Sequence, residues 1–217
     1  MNYKIAVVVL GMACSLFAQT KTEHLDFPAA GVLRFEHSVG DLQIEAWDQP
    51  GVEITTTKSA MEKDKTADLA RVQISTKRQG DELVVTTQYP SHVAFPWVTT
   101  LDHATNFQLA WQVKVPRNAK LVIHHTDGEV HIAGVAGNID ASARQGLITL
   151  WLAGESAPSI DARSSVGSVT SDFPGAEKPK EFHLGHEFLQ SAAAASQSLK
   201  LRIRFGDIII AKAFQQK

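Results

Sequence analysis

Along this chain apolar residues recur at every second position, and the alternation turns at glycines. Aligned on Gly40, Gly128, Gly146, Gly167 and Gly206, the residues seven before each glycine are Leu33, Leu121, Ile139, Ile160 and Leu199, and those five before are Phe35, Ile123, Ala141, Ala162 and Leu201. Two after come Leu42, Val130, Ile148, Val169 and Ile208; four after come Ile44, Ile132, Leu150, Ser171 and Ile210, with Ser171 the one polar member. Side chains of a strand point alternately to opposite faces, so this pattern predicts two half-buried strands on either side of a corner. Glycine suits the corner because it reaches positive φ without the clash a Cβ would bring. Asp41, Glu129 and Asp207, directly after three of the glycines, add turn chemistry.

The separations from Gly128 to Gly146 and from Gly146 to Gly167 are 18 and 21 residues, the length of one solenoid turn. Each turn would then cover the core of the one before it, which stacks Gly167 directly on Gly146. Gly167 to Gly206 is 39 residues, about two such turns. Gly185 divides that interval, but Lys178, Lys180 and Glu187 stand in its flanking slots, so this turn is expected to be degenerate or looped out.

Outside the glycine pattern, residues 52–57 read as a strand, and the charged, Ala-containing residues 59–70 as a short helix. Residues 72–75 and 83–87, separated by Gly80-Asp81, form a hairpin pattern. Phe107, Leu109, Trp111, Val113 and Val115 alternate without a break until Pro116 ends the run. Residues 89–106 and 174–198 lack a clean period, and Ala192 to Ala195 is either a brief helix or a link.

The run Val115-Pro116-Arg117-Asn118-Ala119-Lys120-Leu121-Val122-Ile123 followed by Gly128-Glu129-Val130-His131-Ile132 resembles the bacterial putative adhesin family of unknown function. That family carries a VP run leading into repeated G-x-[LIV]-x-[LIV] strands, and the resemblance spans about Leu33 to Ile210. It implies an exported β-solenoid-like protein of the cell envelope, with no catalytic residues to carry over. The expected fold class is therefore all-β, a stacked short-strand β-solenoid or sandwich-like scaffold with at most one or two short helices.

The start of the chain reads as an export signal, residues 1–18, with Lys4 as a positive n-region, an apolar run from Ile5 to Leu10 and a cleavage site after Leu16-Phe17-Ala18. The apolar stretch is shorter than the roughly 20 residues of a comfortable membrane span. Residues 19–106 then form an N-terminal β region with one short helix and an aromatic loop, continuous with a repeat-built region over 107–217. Cys14, the only cysteine, leaves with the signal and takes thiol chemistry and disulfides with it. An alternative is lipid attachment at Cys14, but Gly11 stands where a lipoprotein box usually has Leu. Hydrophobic residues make up 44% of the chain, enough for a real core, and a net charge of -2 supplies no general attraction to nucleic acid.

Among candidate sites, Asp140 and Asp161 both lie six residues before a glycine, so adjacent turns would stack them on one outward face at about 4.8 Å. They read as a calcium pair or, with Arg163 and Lys200, as a solvated charge ladder; calcium wants six to eight oxygens, which favours the ladder. His124, His125, His131, His183 and His186 raise a metal site, but three or four converging ligands are needed and solvated strand histidines are the expectation. Tyr89, Phe95 and Trp97 concentrate aromatic area in one proline-punctuated segment, as a binding lip or as a cap on the stack. No cofactor is expected, and neither a nucleophile elbow nor a phosphate loop is present. The expected function is an exported, non-enzymatic, adhesin-like scaffold, periplasmic, at the cell surface or extracellular, that meets an envelope protein or glycan. The alternative is a β-helical polysaccharide lyase or hydrolase. The register further predicts that Ile148 and Val130 face the core and that Asp at Thr149 would be nearly silent.

Overall fold

Successive apolar side chains on one face of an extended chain can be buried only against another such face, and in this protein they are buried by neighbours of the same kind. The computed structural model describes residues 18–60, 72–88, 107–153, 158–179, 184–192 and 195–213. Every regular element among them is a strand, and the protein is all-β. In chain order these are β1 (Ala18–Leu25), β2 (Val32–Val39), β3 (Asp41–Trp47), β4 (Val52–Ala60), β5 (Gln73–Gln79), β6 (Glu82–Gln88) and β7 (Phe107–Pro116). There follow β8 (Lys120–Ala133), β9 (Ile139–Ala153), β10 (Ser159–Val166), β11 (Val169–Ser171), β12 (Ala176–Pro179), β13 (His186–Gln190) and β14 (Ser198–Ala213).

The strands form one 14-stranded sheet, bent along a line of glycines into two arms. Three long strands, β8, β9 and β14, cross the bend and belong to both arms. In the first arm β5, β6 and β2 lie on one side of them and β10, β13 and β12 on the other. In the second arm β1, β4, β7 and β3 lie on one side and the short β11 on the other.

Pairing across the centre is parallel, and its register reproduces the sequence alignment slot by slot. One first-arm row runs Leu33, Leu121, Ile139, Leu199, Ile160; its second-arm counterpart runs Leu42, Val130, Ile148, Ile208, Val169. All ten side chains are buried in a single core enclosed by the inner faces of the arms. Phe35 of the first arm meets Trp111 of the second edge to face, with centroids 5.7 Å apart. Each fully buried aliphatic side chain contributes about 1.5–3 kcal/mol, so long rows of them can hold two arms together without disulfides.

The bend needs glycine. Gly128 and Gly146 have φ of 118° and 123°, and a Cβ on Gly128 would strike the carbonyl of Gly40, one on Gly146 the carbonyl of Gly128. The line passes through Gly40, Gly128, Gly146, Gly206 and Gly167 in that order. The expectation that Gly167 stacks on Gly146 is thus corrected: β14 intervenes between β9 and β10. Side-chain bonds guide it there. Gln197, just before β14, is buried and its Nε2 donates to the carbonyls of Val135 and Gly137, while Asn138 Oδ1 accepts from the Ser198 amide at 2.9 Å.

Other expectations fare unevenly. The hairpin is present as β5 and β6, and the unbroken alternation is β7, ending at Pro116. Ser59 and Ala60, read as the start of a helix, extend β4 instead, where they pair with β7. The rest of that stretch lies outside the described residues. The Gly185 segment makes no parallel turn; it leads into β13, which returns antiparallel to β10. Residues 1–17 of the expected export signal are likewise outside the description, and Ala18 is the first residue of β1.

Candidate functional site

The outward slots of the shared strands carry the polar chemistry of the chain. On the first arm they form an ionic ladder. Lys200 on β14 faces Asp140 on β9 and Asp161 on β10, with Lys200 Nζ 3.3 Å from Asp140 Oδ2. The two aspartates are therefore not adjacent: the intercalation that displaces Gly167 also places a lysine between them, correcting the stacked carboxylate pair. Asp161 accepts from Arg163 at 3.0 Å and from Arg202, and Arg163 reaches Glu187 at 3.0 Å. Burial pushes the Asp161 carboxyl up, but the guanidiniums of Arg202 and Arg163 more than reverse this and hold it below the ordinary range. Farther along, His124 Nδ1 lies 2.8 Å from Glu36, and Arg34 is shared by Glu36 and Glu82.

The second arm is different. Its outward rows run Gln43, His131, Thr149, Ile209, Thr170 and, one step on, Ala133, Trp151, Ala211. Trp151 and Ile209 are 38% and 39% exposed, whereas Thr149, flanked in its row by His131 and Ile209, is only 4% exposed. Thr149 does point outward, as its slot requires, but its neighbours on both sides cover it. The expectation that Asp would be silent there is corrected. His131 stacks on Trp151 at 5.6 Å and meets Glu129 at 2.8 Å through Nε2.

At the bend itself a buried Ser–His pair faces inward, Ser38 Oγ 2.9 Å from His125 Nδ1. Ser38 reaches that slot through an irregularity at His37, which has φ of 58° and throws one extra residue into β2. Burial lowers the His125 pKa to about 4, with Asp127 opposing weakly. His125 Nε2 has no partner among the described residues.

The candidate histidines are thus dispersed. His124 and His131 lie on different arms, each with its own glutamate; His186 bonds the Gly167 carbonyl; His183 lies outside the described residues. Among the described residues no three His, Cys, Asp or Glu side chains converge as a metal site would need. Tyr89, Phe95 and Trp97 also lie outside the description. Sequence reading passed over Trp151 and Ile209, whose exposure depends on the flanking strands, and over Arg144 and Arg204, which 60 residues of chain separate and the pairing of β9 with β14 joins.

No known protein family and no curated protein matches the chain. Among solved structures it is similar to a putative cell adhesion protein from Clostridium sporogenes, with 14% identity, a TM-score of 0.53, and coverage of 90% of this chain and 100% of that one. This is a likeness of fold. Putative adhesins from Bacteroides fragilis and Parabacteroides merdae align over 90% of this chain and over 98% and 78% of theirs, each with 10% identity, at TM-scores of 0.29 and 0.28, too low to add to it.

Proposed function

We propose that this chain is an exported, non-enzymatic protein of the bacterial envelope or surface, adhesin-like in that it holds a protein or glycan against the outside of its bent sheet. The observation that carries this reading is the second arm's outer face, where Trp151 and Ile209 stand exposed on rigid, in-register strands. Exposed apolar side chains grouped on one face favour contact with a partner, and tryptophan is prominent among residues that dominate such contacts. The likeness of fold to a putative cell adhesion protein and the signal-like start with Lys4 and its apolar run support the same reading. Asp140 and Asp161 belong to the ionic ladder, and Tyr89, Phe95 and Trp97 are a second candidate contact segment.

Retention of the purified chain on bacterial cells and envelope fractions tests the proposal. Trp151→Ala with Ile209→Ser is expected to cut retention about tenfold while moving the melting temperature little. Full retention in that variant sinks the assignment of the face. Turnover of a polysaccharide, abolished by Asp140→Asn or Asp161→Asn, would overturn the non-enzymatic reading in favour of a lyase or hydrolase.

A further inference from the structure

The first arm's outer face carries more positive charge near the bend than its own carboxylates neutralise. Arg202 and Arg163 share Asp161, and Arg163 also meets Glu187. One row nearer the glycines, Arg144 on β9 and Arg204 on β14 face one another, since Ala143 pairs with Ile203 and Gln145 with Phe205 on either side of them. Both are exposed, and neither forms an ion pair with a described carboxylate. Neighbouring strands lie about 4.8 Å apart, and like charges directly opposite destabilise a sheet. The arginines opposed one row away, Arg163 and Arg202, have Asp161 between them, whereas Arg144 and Arg204 have no described carboxylate to relieve them.

Beside them is a hollow of about 350 Å³ lined by Arg163, Ser165, Arg202 and Arg204 with Ala143 and Ile203. Phe205, 44% exposed, lies next to it, with the Arg204 guanidinium 5.3 Å from the ring centroid. The hollow is thus walled by guanidinium forks from two adjacent strands and a hydroxyl, with Arg144 on the third strand and the Phe205 ring flanking Arg204 at its edge. Forks of this kind bind carboxylates through paired hydrogen bonds, and an aromatic face packs against the C–H side of a sugar.

We propose that this hollow binds an acidic polysaccharide through the carboxylates of successive sugar units, which rests on the reading that the chain works by surface contact. A neutral sugar would leave the arginine repulsion in place. A densely phosphorylated surface would meet Asp140, Asp161 and Glu187, which border the cluster, and the chain's net charge of -2.

The test uses the full chain with fluorescent polygalacturonate at low ionic strength, and with neutral dextran and phosphatidylglycerol vesicles as comparators. Polygalacturonate alone is expected to bind, with affinity falling as salt rises. Arg144→Ser with Arg204→Ser is expected to weaken binding about tenfold or more while the melting temperature holds or rises, because repulsion has been removed. Should that variant fold poorly, Arg144→Lys with Arg204→Lys retains the charge and loses the forks, and weaker binding is again expected. No binding of polygalacturonate, equal binding by the folded variant, or vesicle binding as tight as that of the polymer overturns the proposal. Retention of the parent chain on cells, with no binding of polygalacturonate by that same chain, would sink the acidic-glycan assignment and leave the contact reading standing.

Discussion

The same three long strands run through both outer faces in one parallel register, yet one face is an ionic lattice and the other is partly apolar. On the first arm Asp140, Lys200 and Asp161 alternate in sign from strand to strand; Lys200 meets Asp140 across the ladder, and Asp161 is held by Arg163 on its own strand and Arg202 on the next. On the second arm the slots across the bend from these hold Thr149, Ile209 and Thr170, with His131 on the other side of Thr149, and Thr149 is covered by its neighbours. The lesson is that facing outward and being exposed are separate properties in a parallel sheet. Alternation along one strand decides the first, and the neighbours across the ladder decide the second.

Substitutions can break this contrast in order of severity. Ile148→Asp, on the inner face, should abolish folding, because the carboxylate would lose its hydration with nothing to pair with; the loss of a cooperative thermal transition is the readout. A surviving transition near that of the parent would mean the inner and outer faces are assigned the wrong way round.

Acid should act next, and on the interior. His125 binds a proton near pH 6.5 when unfolded but near 4 when folded, so the unfolded chain takes up protons first as pH falls. Its contribution is complete above about pH 6.5 and lost progressively on descent to about 4, roughly 3 kcal/mol in all. Urea melts across this range should show that slope in the parent and a flatter one in His125→Gln, whatever its absolute stability. The depressed Asp161 and Asp207 carboxyls lose their contribution at lower pH, below their ordinary range near 3.8, so the windows separate.

Thr149→Asp places a charge in an outward but covered slot and should cost about 1–3 kcal/mol in chemical denaturation. Lys200→Ala removes an exposed ladder charge and should cost at most about 0.5 kcal/mol. If the two proved equal, the contrast between the faces would be one of composition only.

Much of this was legible beforehand. The slots around Gly40, Gly128, Gly146, Gly167 and Gly206 state the register, because a strand with one buried face tolerates no slip. The order of the strands is a different matter. Leu199-Leu201 and Ile160-Ala162 fill the same slots, so nothing in the alternation says which pair lies beside Ile139-Ala141. The deciding contacts belong to Gln197 and Asn138, polar residues in connections where no periodicity operates. From that one ambiguity follow the separation of Asp140 from Asp161, the meeting of Arg144 with Arg204, and the cover over Thr149. His37 shows the same limit locally: its irregularity brings Ser38, one place late, to His125.

The placement of β14 also sets a timetable for the newborn chain. During synthesis β8 and β9 can pair as soon as they emerge, but β9 then presents an unfilled edge, and β10 has no strand to join on that side until residues 198–213 arrive. Closing contacts so distant along the chain is slow, and an open parallel edge awaiting its partner invites other chains. Wherever the chain folds, the β9 edge stays open until β14 is in place to cover it.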